Sequence, residues 1–187
     1  LQEAVYWAIG NNVDIISTSF GFYNVTPGDG TGFFQDLVQD ARAAGVLWIT
    51  AAGNNREQHW GGIYNDPDNL GSHYFNGTSS INFFGPGDGS AYGIPAGYPI
   101  EIRMRWDDWT DVTQDYDLLL YRYRTDGIWV QAASSYNDQN GGVGQRPTES
   151  IFFTTTAETS AYGFMIMRRD STRNVNFEVF TPTVPHL

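Results

Sequence analysis

The sequence predicts a chain of two parts: a short α/β segment, followed by an all-β antiparallel sandwich or jelly roll. Over roughly the first 55 residues, apolar residues at helical spacing alternate with short β-branched runs. Short segments in which apolar and polar residues alternate come after them. The change of pattern predicts a boundary near residues 55 to 60, with the α/β segment over 1–55 and the sandwich over 56–187.

The composition favours a folded chain and narrows its partners. Of the 187 residues, 41% are hydrophobic and 16% aromatic, which is enough for a packed core. The formal net charge is −11 and every basic residue is Arg, so we expect neither nucleic acid nor a membrane as partner. Cysteine is absent, which excludes disulfides, thiolate zinc sites and cysteine nucleophiles.

The first part is predicted to run helix, strand, helix, strand. Apolar residues from Leu1 to Ile9 share one helical face, and Asn11-Asn12 ends that helix. The β-branched run 13–17 is typical of a strand buried on both faces. A helix over 33–44 that Gly45 ends and a second buried strand over 46–52 complete a parallel βαβ unit. Ligands of such sheets gather at the carboxyl ends of the strands.

The second part carries six segments with strand periodicity. Ile100 to Trp106 is the clearest, because its apolar residues alternate with Glu101, Arg103 and Arg105. Trp106 continues the apolar face and is therefore predicted to be core. The other predicted strands are 116–123, 128–133, 150–155, 162–168 and 175–180.

Two blocks of the first part resemble the subtilase family of serine peptidases. "AVYWAIGNNVDIISTSFG" is similar to the family's central helix, strand and substrate-binding segment, and "ARAAGVLWITAAGNN" to the next helix and the strand that ends in the oxyanion-hole Asn. The remainder resembles, more loosely, a β-sandwich inserted into some bacterial subtilases. Its "RWDDW" and "DYDLLLY" blocks are also similar to pre-peptidase C-terminal domains.

The resemblance implies roles for the residues at the two strand ends. Asn54 would donate its side-chain amide to the oxyanion of an acyl-transfer intermediate. Ser19, Phe20 and Gly21 would form one edge of a cleft that pairs with an extended peptide. The facing wall of the pocket for the residue before the cut would be Ala51, Ala52 and Gly53.

The catalytic triad of the family is missing from this chain. Neither its Asp and His motifs nor its Gly-Thr-Ser motif occurs, and His59, His73 and His186 lie in the wrong contexts. We therefore expect an internal piece of a secreted, bacterial subtilase that is inactive when isolated and whose parent cleaves peptides or proteins. Two strands of a larger sheet leave open edges, so self-association of the chain is also expected.

Two features of the second part leave alternatives open. The residues Asp107, Asp108, Asp111, Asp115 and Asp117 crowd one connection, as a calcium site or as a solvated acidic loop. Apart from calcium, no cofactor is expected. Trp60, Trp106, Trp109 and Trp129 suggest a platform for sugars or peptides. The rivals to the peptidase fragment are thus a noncatalytic carbohydrate- or protein-binding module and a degenerate subtilase that acts as an interaction protein.

Overall fold

The computed structural model describes residues 1–86, 90–156 and 158–184, so that His186 lies outside the described residues. The chain divides into two compact units, Leu1–Asn54 and Asn55–Leu187. Strands dominate the chain, and all but two of them lie in the second unit. Within the described ranges, no helix has the length and apolarity needed to cross a bilayer.

The first unit contains two helices and two strands in the predicted order. They are α1 (Gln2–Gly10), β1 (Ile15–Thr18), α2 (Phe33–Ala43) and β2 (Leu47–Thr50). β1 and β2 pair in parallel, which confirms the predicted parallel pair. Gly45 follows α2 with a φ of 81°, a backbone angle that glycine adopts without strain and that ends a helix.

The prediction that β1 and β2 are buried on both faces is wrong for this unit. Its buried apolar side chains are Val5, Leu37, Ala41 and Val46, none of which lies in a strand. Ile15, Leu47 and Ile49 are between 49% and 57% exposed. The register places these three on one face of the sheet. Within the first unit, all of which the structure describes, no further layer covers that face, whereas Ile16 and Trp48 on the opposite face are half-buried.

In the described residues of the second unit, a short 3-10 helix (Arg56–Gln58) is accompanied by eight strands. They are β3 (His59–Ile63), β4 (Asn82–Phe83), β5 (Pro99–Trp106), β6 (Asp115–Tyr123), β7 (Trp129–Ser135), β8 (Thr148–Thr154), β9 (Tyr162–Asp170) and β10 (Asn176–Phe180). β5 to β10 confirm the six predicted strands, with ends shifted by up to two residues. β3 and β4 were not predicted.

The eight strands form two antiparallel sheets around one core. The sheet orders are β3-β10-β5-β8 and β4-β9-β6-β7, and inward-facing residues of both sheets join a single hydrophobic cluster. Trp106 belongs to it and is 1% exposed, as predicted. Its indole N–H donates to the carbonyl of Gln114 at 2.9 Å, which satisfies the polar atom that comes with a buried indole.

Candidate functional site

The parallel pair brings the two predicted substrate-binding segments together at the carboxyl ends of its strands. Thr18 lies opposite Thr50 at the ends of β1 and β2. One step further, the N–H of Ala51 donates to the carbonyl of Thr18 at 3.0 Å. The segments 19–21 and 51–54 therefore leave the sheet side by side, as expected for the carboxyl ends of parallel strands.

Asn54 is exposed to solvent at this end of the sheet. It follows Gly53, whose φ of 86° lies in the region that favours glycine. Its carboxamide is not among the hydrogen-bonded side chains of the described residues, whereas neighbouring Asn55 donates to Gln58 Oε1 at 2.8 Å. Asn54 thus presents an uncommitted amide donor to solvent.

The backbone of the 19–21 and 51–52 segments is open to solvent. Ser19, Gly21, Ala51 and Ala52 are all exposed. A Cβ added to Gly21 would meet no atom within 4 Å. An extended peptide therefore has room to lie against the 19–21 segment and form main-chain hydrogen bonds with it.

An apolar cavity of about 290 Å³ lies next to this segment, inside the first unit. Phe22 stacks on Phe34 with ring centroids 5.2 Å apart, and Phe20 meets Phe22 edge to face at 5.6 Å. The indole N–H of Trp48 donates to Thr18 Oγ1 at 3.2 Å, which orients the ring in the wall. The cavity is lined by Leu1, Thr18, Phe20, Gly21, Phe22, Phe34, Val38, Trp48 and Thr50.

Phe22, Phe34 and Trp48 were not predicted as site residues. The sequence contained one indication: "FGF" and "FF" place more aromatic side chains around α2 than its buried face accommodates. Phe20 and Phe22 are each 54% exposed. Exposed aromatic rings clustered beside a strand end are more typical of a binding surface than of a core.

Neither histidine of the described residues is placed as a catalytic base. His59 pairs with Glu178 and packs on Phe180, and it contacts no hydroxyl nucleophile. His73 is 1% exposed, and its Nδ1 accepts the N–H of Asn65 at 3.0 Å. Burial lowers the pKa of His73 from 6.5 to about 4, so this side chain is neutral and enclosed.

The five aspartates predicted as calcium ligands have different surroundings in the structure. Asp107 and Asp108 contact the guanidinium of Arg173 at 2.9 and 3.4 Å, and Asp111 is exposed. Asp115 and Asp117 are 8% exposed and lie in β6. Within the described residues, no three His, Asp or Glu side chains are already arranged to hold a metal ion. Calcium binding stays a prediction.

The four tryptophans proposed as a platform have different surroundings. Trp106 is core, and Trp60 packs on His73 and Phe75. Trp109 is half-buried. Trp129 lies between Phe83 and Tyr123, with ring centroids 5.2 and 4.9 Å away. Core packing therefore accounts for two of the four rings.

Comparison with solved structures finds weak likenesses. One is to the Yersinia pseudotuberculosis-derived mitogen, at 12% identity and a TM-score of 0.38, over 66% of this chain and 81% of the mitogen. Another is to a protein from Sulfurospirillum deleyianum, at 11% identity and a TM-score of 0.27, over 48% of this chain and 85% of that one. Neither likeness carries a conclusion about fold or function.

Comparison with sequences gives a more specific result. No curated protein matches the chain. A model of the subtilase family, peptidase S8, matches residues 1–165. That match contains both blocks of the first unit with the exposed Asn54 and crosses the boundary at Asn55 into the sandwich. The chain belongs to the subtilase family.

Proposed function

We propose that this chain is part of an extracellular subtilisin-like serine endopeptidase and supplies its oxyanion donor and one edge of its substrate cleft. The observation that carries the proposal is the register of β1 and β2, which supports it by bringing the starts of the 19–21 and 51–54 segments together where the two strands end. Family membership supports the same reaction, peptide-bond hydrolysis by a serine nucleophile.

The chemical role of Asn54 follows from where charge develops. Attack on a peptide carbonyl moves negative charge onto its oxygen, and a fixed N–H donor about 3 Å away stabilises that oxygen in the transition state. The Asn54 amide would be one donor, and the backbone N–H of the nucleophile would be the second. The triad would come from parts of the protein outside this chain. We accordingly expect the isolated 187-residue chain not to hydrolyse peptides.

The apolar cavity supports a proposal about the side chains of the substrate. An extended peptide that pairs with 19–21 points alternate side chains toward the first unit. A cavity of about 290 Å³ with aromatic walls favours a large apolar side chain at one of these positions. We therefore propose a preference for substrates with an aromatic or long aliphatic residue there.

The test is hydrolysis of a fluorogenic peptide by the longer protein that contains this chain, comparing wild type with Asn54→Ala. We expect kcat to fall by about 10²–10³-fold with KM little changed, a range that comes from subtilisin itself, a member of the same family, and not from this structure. Such a split identifies an interaction made only in the transition state.

Asn55→Ala is the matched control, because it removes the same carboxamide one residue away, where that group is engaged by Gln58. We expect it to retain kcat. The oxyanion assignment fails if Asn54→Ala is as fast as wild type, or if both variants lose activity equally.

For the cavity, Phe34→Ala should lower kcat/KM for peptides with a large apolar residue more than for their alanine counterparts.

A further inference from the structure

The outer face of the β4-β9-β6-β7 sheet holds a cavity that the proposed peptidase site does not use. Leu118 of β6 is fully buried in the core, so that Asp117 and Leu119 on either side of it lie on the outer face. The cavity measures about 490 Å³, which is within the usual range of a small-molecule site. It lies in the second unit, and its lining includes Asp117, Leu119, Tyr136, Asp138, Met167 and Arg169.

The cavity offers charged groups of both signs that are free to bind a ligand. Among the described residues, no hydrogen bond or ion pair engages the side chains of Asp117, Asp138 or Arg169. Burial raises the pKa of Asp117, and the nearby charges of Arg169 and Asp138 act on it in opposite senses, so the three groups share one space. Arg168 also lines the cavity, but its guanidinium contacts Asp66 at 3.2 Å.

Carboxylates and a guanidinium in one cavity select against charged ligands. An anion would be repelled by Asp117 and Asp138, and a cation by Arg169. A hydroxyl group suits both, because it donates to a carboxylate and accepts from a guanidinium. Hydrogen bonds to charged groups are also stronger than those between neutral groups. The polar part of the cavity therefore fits an uncharged ligand with several hydroxyl groups.

The rest of the lining is apolar or aromatic. Leu119 and Met167 contribute apolar surface, and the ring of Tyr136 is 55% exposed. The side-chain amide of Gln131 donates to the Tyr136 hydroxyl at 3.1 Å, which helps to orient this ring. A flat aromatic ring provides a large contact area at low entropic cost. A sugar ring has both matching surfaces, since hydroxyl groups surround it and C–H groups cover its faces.

An aromatic cluster, formed by Phe83, Tyr123 and Trp129, lies on the same sheet. Trp129 of β7 pairs with Tyr123 of β6, and its ring centroid is 5.2 Å from that of Phe83 and 4.9 Å from that of Tyr123. Tyr123 is 42% exposed and Trp129 is half-buried. These rings offer further contact area for a ligand that extends beyond the cavity.

The position of β6 within the sheet argues against an extended peptide as the ligand. β6 pairs with β9 on one side and with β7 on the other, so its main-chain groups are committed to the sheet. A peptide that binds as an added strand requires a free sheet edge. On this face, a ligand meets side chains rather than unpaired main-chain groups.

We propose that this outer face binds a neutral saccharide, with one sugar ring in the cavity against Tyr136. Hydroxyl groups of that ring would bond to Asp117, Asp138 and Arg169, and the next sugar unit would lie over the aromatic cluster. The proposal concerns the second unit alone and does not depend on peptide hydrolysis.

The test is titration of the full chain with four neutral hexasaccharides: cellohexaose, maltohexaose, mannohexaose and chitohexaose. Binding is followed by NMR of ¹³C-labelled methionine methyl groups, because the chain has three methionines. Met167 lines the cavity and Met165 lies opposite Leu119, whereas Met104 is fully buried and belongs to the other sheet. We expect at least one hexasaccharide to shift the Met167 signal, with a Kd of about 1 mM or tighter, and to leave the Met104 signal unchanged.

Two variants and a matched control locate the site. Asp117→Asn should weaken binding about tenfold, because it removes a charged acceptor and keeps the shape of the side chain. Tyr136→Ala should also weaken binding, because the contact with its ring is lost. Phe152→Ala is the control: it removes a ring that is 64% exposed on the other sheet, and it should bind like wild type.

Charged probes test the selection for a neutral ligand. Deacetylated chitohexaose, which is cationic, and hexagalacturonate, which is anionic, should each bind at least about tenfold more weakly than the best neutral hexasaccharide. The proposal is overturned if no neutral hexasaccharide shifts the Met167 signal at about 10 mM, if a charged probe binds as tightly, or if Asp117→Asn binds like wild type. Equally tight binding of an end-blocked, uncharged Gly-Ser hexapeptide would assign the face to peptides and overturn it as well.

Discussion

Acid should destabilise the sandwich through His73. This side chain is 1% exposed, and aromatic rings of Trp60, Tyr64, Phe75 and Phe177 surround it. Its Nδ1 accepts the N–H of Asn65, so the neutral ring carries its proton on Nε2, for which no acceptor is found among the described residues. Protonation would place a positive charge on a ring that these aromatic side chains enclose.

The size of the effect follows from the shifted pKa. Burial lowers the pKa of His73 from 6.5 to about 4. A depressed pKa means that the unfolded state binds the proton first, so stability is intact above pH 6.5 and falls as the pH drops toward 4. At about 1.4 kcal/mol per pH unit, the loss is about 2 kcal/mol at pH 5 and approaches about 3 kcal/mol below pH 4.

The assay is urea unfolding from pH 7.5 to pH 4, comparing wild type with His73→Phe. Carboxylates titrate in both proteins, so the difference between their free energies of unfolding isolates the imidazole. We expect the free energy of unfolding of His73→Phe, relative to that of wild type, to rise by about 2 kcal/mol between pH 7.5 and pH 5. A difference that stays flat, or an imidazole that titrates near 6.5 by NMR in the folded protein, would refute the reasoning.

Three further predictions concern stability and assembly. Gly163→Ala should lose about 1–3 kcal/mol in urea unfolding, because the new Cβ would lie 2.7 Å from a backbone oxygen of β4; Gly10→Ala, with nothing within 4 Å, is its control. Glu149→Gln should cost about 2 kcal/mol, since hydroxyl, amide and backbone donors all point at this carboxylate, whereas exposed Glu158→Gln should be neutral. Light scattering should show concentration-dependent association that Ile49→Glu reduces; a strict monomer at all concentrations would argue against an adhesive sheet face.

Local pattern predicted most of the secondary structure. The apolar face of β5 alternates strictly, and all four of its core residues are at most 1% exposed, so burial and periodicity agree there. β3 shows why other strands were missed. Gly61 and Gly62 interrupt the expected pattern, yet the strand exists because β10 pairs with it. Glycine is favoured at position 62, because a Cβ at this position would lie 2.8 Å from the ring of Trp60.

The candidate site could be predicted only in part, because a local sequence pattern specifies some of its residues and tertiary contacts specify the others. Asn54 and the 19–21 segment could be predicted because a contiguous sequence block carries each of them. The acidic residues were grouped by their proximity in sequence, but alternation along β6 and a distant arginine decide their roles. Arg173 engages Asp107 and Asp108 from 65 or more positions away, whereas Asp138 and Gln139 join Asp115 from the segment after β7. Such partners depend on tertiary pairing, which no local pattern specifies.

The uncovered face of the first unit bears on the oxyanion role that we propose for Asn54. An oxyanion donor is effective when its position is fixed before the charge develops, and Asn54 follows a strand whose Leu47 and Ile49 side chains are about half exposed. Burying apolar surface contributes about 25 cal/mol per Å², so a second layer over this face would rigidify the strand ends. We therefore expect Asn54 to acquire its full catalytic effect only when that face is covered. The measurement is the NMR linewidth of the Asn54 side-chain amide. We expect this signal to be narrower in the longer protein, which supplies the covering layer, than in the isolated chain.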